Sequence, residues 1–290
     1  MNTLIVGCGF GDAVYKSIYE KIGSTITRVD PDVFKNPDFT SVDKIPSNMN
    51  FDTAHICVPN YLHEDVAESI ADKCKIVFVE KPGVQSSTRW NRLVGFNPGT
   101  RFIMTKNNMW REEIPILVKK SAQSHIIDIE WRTKNRVPRP GSWFTEKSKS
   151  LGGASKDIIP HLASIMIALA GDNWKYCKII ENVKKQFWDL KTIIADGSDY
   201  GPINPIGVYD VDDTAIIKTD INGRTYILDA AWKTNEPDRI GIFFNGKDFT
   251  PLGLCPKIAY EKMILDCLNN IDNEDFWFNQ FEIDRFLHTL

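Results

Sequence analysis

The chain has 290 residues, 42% of them hydrophobic, and a formal net charge of −3. That length suits one large or two medium domains, and the charge leaves no basic field that would gather nucleic acid. No apolar run approaches the roughly 18 residues of a membrane span, so neither nucleic acid nor a membrane is expected as a partner.

The chain enters directly on Leu4-Ile5-Val6-Gly7, without a basic n-region or long apolar h-region, so no signal peptide is expected. Thr3 to Val6 reads as a strand, Gly7-Cys8-Gly9-Phe10-Gly11-Asp12 as a glycine-rich turn, and the stretch to Lys21 as a helix. That order brings phosphate oxygens against backbone N–H groups at a helix N-terminus. The dinucleotide fingerprint wants its third glycine where Asp12 stands, and here it comes one residue early, as Gly11. A tight strand-to-helix turn with no ligand uses the same glycines. Thr25 to Val29 is a second strand ending at Asp30. An acid about 20 residues past the glycines can accept hydrogen bonds from ribose hydroxyls and repel a 2′-phosphate, although the same aspartate also opens a common Asp30-Pro31-Asp32 turn. Arg28 lies two residues earlier, on the same side of an extended strand, and softens that preference. Thr53 to Val58 is the next strand, followed by Pro59-Asn60-Tyr61-Leu62-His63 and a helix to about Lys73. Lys75 to Val79 is a β-branched apolar run of the kind buried in parallel sheets, and it ends in Glu80-Lys81-Pro82. Ligands bind beyond the carboxyl ends of such strands. Ser87 to Val94 reads as helix and Arg101 to Thr105 as strand, completing an alternation that argues for a doubly wound parallel sheet.

Taken together, Gly7-Cys8-Gly9-Phe10-Gly11, Asp30, Pro59-Asn60 with His63, and Glu80-Lys81-Pro82 resemble the Gfo/Idh/MocA oxidoreductases, such as glucose–fructose oxidoreductase and inositol dehydrogenase. The resemblance implies a Rossmann domain over residues 1–110. It implies NAD as cofactor, with NADP the other nucleotide allowed, bound by Gly7, Gly9, Phe10, Gly11, Asp30, Pro59, Asn60, His63, Glu80 and Pro82. It also puts Lys81 beside the nicotinamide and the substrate.

Beyond Asn108 the pattern changes. Met109 to Ser121 suggests a helix, and His125 to Thr133 alternates like a strand. Further strands are expected at Cys177 to Phe187, Thr214 to Thr219, Arg224 to Thr234 and Arg239 to Phe244, with Asn222-Gly223 a type I′ hairpin signal. Residues 111–290 therefore read as an α/β domain with an open, mostly antiparallel sheet, closed by helices at Ala259 to Leu268 and Asn279 to Leu290. The crevice between the two domains is the expected active site. The Gly/Pro-rich stretch from Asp196 to Asp210 is long for a connection and reads as a lid or a disordered loop.

Gly152-Gly153 leads into Asp157 and His161, four residues apart and so on one face of a helix. Paired Asp and His can form a proton-transfer unit, although a helix-capping Asp beside a packed His has the same spacing. The stretch resembles the family's G-G-x-x-x-x-D-x-x-x-H segment, which implies that Asp157 and His161 flank the substrate. Ile159 stands where the family often has glycine, and Ser164 where it often has an acid. Arg132, Lys134 and Arg136 alternate and would share one strand face, either as a site for phosphate or carboxylate or as a solvated or oligomer-rim face. Trp110, Trp143 and Arg111 are further candidate substrate contacts, the tryptophans by stacking on a sugar ring.

The expected enzyme is an NAD(P)-dependent dehydrogenase of a sugar, polyol or sugar derivative, including sugar phosphates and nucleotide sugars. His161 takes the hydroxyl proton, Asp157 orients it, and Lys81 hydrogen-bonds the reacting oxygen. The alternative is a non-catalytic dinucleotide- or sugar-sensing regulator of the same fold. The family resemblance also implies a homodimer or homotetramer. Six cysteines without a C-x-x-C pair and five histidines without an H-E-x-x-H cluster point to free thiols in a reducing, cytoplasmic setting, with no metal.

Overall fold

The computed structural model describes residues 1–253 and 255–290. The chain forms two compact units, residues 1–105 with 260–289, and residues 106–259 with 290.

In the first unit, β1 (Asn2–Val6) leads through Gly7 into α1 (Cys8–Gly11), which runs on through a π-turn at Asp12–Lys16 into α2 (Ser17–Lys21). Then follow β2 (Thr25–Val29), β3 (Phe51–Ile56), α3 (His63–Ile70), β4 (Cys74–Val79), α4 (Ser87–Phe96) and β5 (Arg101–Met104). The five strands are all parallel, in the order β2-β1-β3-β4-β5. Beyond β2 a single parallel bridge, Val29 to Phe39, stands where a sixth strand would add. Leu4, Ile5 and Ile76 to Val79 are buried, as strands covered on both faces must be. The order in which strands are added reverses between β1 and β3, the switch point where doubly wound sheets take ligands.

The second unit holds α5 (Ile114–Ala122), β6 (Ile126–Arg132), α6 (Lys147–Ser150), α7 (Ala154–Asp157), α8 (Ile159–Ala170), β7 (Lys178–Lys185), α9 (Leu190–Asp196), β8 (Thr214–Ile221), β9 (Arg224–Ala231), β10 (Arg239–Phe244) and β11 (Asp248–Pro251). The sheet order is β11-β10-β6-β9-β8-β7, antiparallel at every pairing except β6 with β9. The β8–β9 turn has positive φ at both Asn222 and Gly223, as a type I′ turn requires. α8 is buried along nearly its whole length and packs on β6 and β9, so one face of the sheet is covered.

α10 (Lys257–Asn269) and α11 (Glu274–Leu287) close the chain. Sequence placed both in the second domain, 111–290, but residues 260–289 belong to the first unit. The physical reason is polar as well as apolar. Met104 N–H donates to the Asp284 carboxylate (3.0 Å), and Val84 N–H to His288 Nε2 (3.0 Å).

Candidate active site

The three glycines of the first turn do three different things. Gly7 has φ of 96°, and a Cβ there would lie 2.4 Å from the Cys57 carbonyl oxygen. Only glycine meets both demands. A Cβ on Gly11 would lie 2.4 Å from Ile5 Cγ2, so this glycine lets the helix close onto β1. A Cβ on Gly9 would meet only Lys35 Nζ, at 3.9 Å, so its backbone is open to an approaching ligand. Gly11 thus performs the packing role of the fingerprint's third glycine from one position early. These are the demands of a pyrophosphate cradle, and the residues present fit a dinucleotide.

Asp30 is buried and accepts the N–H groups of Cys8 (2.8 Å) and Asp32 (2.9 Å) and the Lys35 ammonium (2.9 Å). Burial pushes its carboxyl pKa up, but the bonds from Lys35 and the two backbone amides outweigh it and leave the net shift downward. Arg28 does not share this role, because its guanidinium is held by both Asp12 oxygens and by the Asn36 and Lys35 carbonyls. That pairing also holds the Asp12 carboxylate, which stands at the fingerprint's third-glycine position, against Arg28. The cation next to Asp30 is Lys35, which the sequence reading missed.

The Glu80-Lys81-Pro82 turn is braced from three directions. Glu80 is buried and accepts the Tyr15 hydroxyl from the glycine-loop helix. Burial raises its pKa, against the opposing pull of that hydroxyl. His63 is fully buried, with Nδ1 2.8 Å from the Gly83 carbonyl and Nε2 2.9 Å from the Val58 carbonyl. Burial brings its pKa down to about 4, so His63 ties the Pro59-Asn60 turn to the Lys81 turn rather than reaching outward. Behind Gly83, where a Cβ would lie 2.3 Å from His288 Nε2, α11 closes the turn from the far end of the chain. The Lys81–Pro82 peptide is cis, and Lys81 is half-buried. Phe10 is exposed on one side and meets Tyr15 and Tyr260 edge-on.

In the second unit, His161 is buried at the start of α8 and stacks against Trp131 with ring centroids 5.5 Å apart. Its Nδ1 lies 3.0 Å from Asn108 Nδ2, and Cys255 Sγ lies 3.8 Å from the same nitrogen. Asn108 Oδ1 in turn accepts Arg111 Nε at 2.8 Å. Arg111, a candidate substrate contact from sequence, is buried and also donates to the Gly253 carbonyl. Asp157 accepts the Trp232 indole N–H at 2.8 Å. The preceding Gly153 is required because a Cβ would lie 1.7 Å from the Asp212 carbonyl oxygen, while the Asp212 carboxylate takes the N–H groups of Gly153 and Ser155 at the start of α7.

Trp131, Thr133, Arg136, Pro138, Asp157, Ile158, Tyr200 and Trp232 line one cleft. The Arg136 guanidinium lies over the Tyr200 ring, 4.5 Å from its centroid. Arg132 is not brought here: strand alternation sends it to the opposite face from Trp131, where both Asp229 carboxylate oxygens hold it at 2.7 and 2.8 Å. Trp143 stacks on Phe144 outside this lining, and Trp110 ends the short turn Asn107–Trp110 that carries Asn108. Among the described residues no helix is long and apolar enough to cross a membrane, and no three metal-binding side chains cluster.

Comparison with known proteins agrees with the fold. Residues 1–96 match the family model described as "Oxidoreductase family, NAD-binding Rossmann fold" (GFO_IDH_MocA). A putative UDP-kanosamine synthase oxidoreductase subunit of Amycolatopsis mediterranei (strain S699) is 28% identical over 158 residues, which is 50% of this chain and 44% of that protein. The chain thus matches less than half the length of this curated relative. GenD2 from gentamicin A biosynthesis, solved with NAD, superposes with a TM-score of 0.75 at 14% identity, covering 99% of this chain and 92% of that one. Levoglucosan dehydrogenase, solved with NADH and levoglucosan, gives 0.72 at 14% identity over 99% and 95%. A mutant of KijD10, a 3-ketoreductase from Actinomadura kijaniata solved with TDP-benzene and NADP, gives 0.76 at 11% identity over 100% and 96%.

Proposed function

We propose, from an N-terminal NAD-binding Rossmann domain that matches the Gfo/Idh/MocA oxidoreductases, that the chain moves a hydride between NAD and a secondary hydroxyl of a sugar derivative carrying an anionic group. The observation that carries the substrate class is the cleft of the second unit. Trp131 and Tyr200 offer aromatic faces, the buried Trp232 holds Asp157 through its indole N–H, Asp157 offers a carboxylate to hydroxyl groups, and Arg136 offers a cation. Aromatic walls with a few placed polar groups suit a sugar ring, and a guanidinium suits phosphate or carboxylate. Trp131 links this cleft to the His161 ring.

When bound, the nicotinamide supplies the hydride acceptor or donor. Three groups of the chain are assigned to the substrate: Lys81 and His161 to the reacting oxygen, and Asp157 to a neighbouring hydroxyl. Oxidation removes a hydride from the carbon and a proton from its hydroxyl, leaving a ketone, and the Lys81 amine is the group proposed to carry that proton. The sugar-related names among the similar proteins support the carbohydrate class.

The test is a panel of neutral sugars, uronates, sugar phosphates and nucleotide sugars, followed by NADH formation, and by NADH consumption with the matching ketones. Turnover is expected on anionic members, with KM raised in Arg136→Ala. Turnover on neutral polyols alone, unchanged in Arg136→Ala, removes the anionic substrate. NAD binding without turnover on any of them favours the regulatory reading.

A further inference from the structure

Within the reading just proposed, the chemical state of His161 follows from what holds it. Arg111 has only donors on its guanidinium. Its Nε lies 2.8 Å from one atom of the Asn108 amide, and that atom must therefore be the oxygen. The other amide atom, 3.0 Å from His161 Nδ1, is then the NH₂ group. Two N–H groups cannot share that contact, so Nδ1 carries no hydrogen and accepts. A neutral imidazole with a bare Nδ1 has its proton on Nε2. The Cys255 thiol, 3.8 Å from Nδ1 and 3.9 Å from Nε2, is a weak donor and a weak acceptor and imposes neither state.

We infer that the Arg111–Asn108 pair fixes His161 as a neutral Nε2–H imidazole, which donates a hydrogen bond to the reacting oxygen and does not take its proton. Arg111 is itself held in place, since it is buried and its remaining nitrogens meet the Gly253 carbonyl and Glu113, the latter at 3.5 Å. The amide therefore cannot turn over without leaving an arginine N–H facing an amide N–H. Stacking on Trp131 fixes the plane of the ring. A fixed Nε2–H suits an oxygen that gains negative charge, as the oxygen of a ketone does while it receives a hydride. It does not suit removal of a hydroxyl proton, which needs a bare nitrogen. Asn108 and Arg111 are accordingly positioning residues, and proton transfer falls to another group, Lys81 in the proposed function.

The tautomer can be read without substrate or cofactor. Long-range nitrogen–proton NMR correlations on uniformly ¹⁵N-labelled protein at pH 7 show which ring nitrogen of each histidine bears hydrogen, and His161 is assigned by the signals lost in His161→Gln. A protonated Nε2 with a bare Nδ1 is expected. A protonated Nδ1, alone or with Nε2, overturns the inference. Asn108→Asp puts an acceptor against Nδ1 and should move the proton to that nitrogen, whereas an unchanged pattern in this variant overturns the role of Asn108. Because the spectra need no turnover, an Nε2–H signal in a protein inactive on every sugar tested upholds the tautomer while the enzyme reading fails.

Discussion

The three glycines of the first turn give the sharpest separation of binding from folding. Gly9→Ala adds a methyl whose nearest neighbour is a lysine tip at 3.9 Å, in a helical backbone that alanine accepts. Alanine is about 1 kcal/mol better than glycine in a helix, so the variant should be as stable as wild type or slightly more so. The methyl occupies the path by which a pyrophosphate reaches the backbone. Losing one hydrogen bond to a charged group costs about 1.5–3 kcal/mol, which weakens NAD roughly 10- to 150-fold. Gly11→Ala drives its methyl to 2.4 Å from Ile5 Cγ2, and overpacking of this kind costs about 1–3 kcal/mol of stability. Gly7→Ala should be worst, since φ of 96° is added to a 2.4 Å clash with a backbone carbonyl. Urea denaturation of the nucleotide-free proteins gives the stabilities, and calorimetric titration gives NAD affinity. Wild-type NAD binding by Gly9→Ala, or a stability loss equal to that of Gly11→Ala, refutes the assignment.

Three further outcomes follow from the same structure. Lys35→Ala removes the ammonium that neutralises Asp30; that side chain is 39% exposed, so the effect is held to about 1 kcal/mol, and NADP should weaken about fivefold relative to NAD. An unchanged NADP-to-NAD ratio in paired titrations removes the role of Lys35. Trp232→Phe deletes the donor to Asp157 and should lower kcat/KM for the sugar about tenfold, a cost near 1.4 kcal/mol, while NAD titration is unchanged; equal loss of both would point to general damage. Asp128 on β6 is raised from 3.8 to about 7, by burial first and then by Glu130 and Asp229. The folded state therefore holds that proton more tightly than the unfolded chain, and stability is lost as pH rises from about 4 towards 7. Asp128→Asn should raise the melting temperature at pH 8, with a gain that shrinks steadily as pH falls towards 4; a gain independent of pH excludes this source.

Much of the first unit was legible because its signals are local. Strand, glycines, helix and Asp30 lie within one supersecondary unit, and the β-branched run before Glu80 can hardly be anything but a buried strand. What sequence could not supply is the far end of each brace. His288 holds the Lys81 turn across 204 residues through Val84 N–H, and nothing in a C-terminal helix pattern announces that destination. Arg132 shows a different limit. Alternation correctly separates it from Trp131, but only the burial of α8 against the sheet decides which face is covered, and the covered face took the tryptophan. Lys35 was visible five residues after Asp30, yet its reach depends on the turn at Asp32 that folds the chain back.

The Asp157–His161 spacing marks where a sound local rule meets a stronger one. Residues four apart face each other only on an unbroken helix. Pro160 has no N–H with which to continue the ladder, and the run divides into α7, ending at Asp157, and α8, beginning at Ile159. His161 N–H instead bonds the Ile158 carbonyl at 2.9 Å, three residues back. With the ladder interrupted, Asp157 takes the indole of Trp232 from β9's end and His161 Nδ1 takes the amide of Asn108. A carboxylate at Nδ1 would have favoured a ring proton there and made the imidazole a base. The amide, turned by Arg111, makes it a donor. The neighbour at Nδ1 decides which way the hydrogen bond of the histidine points.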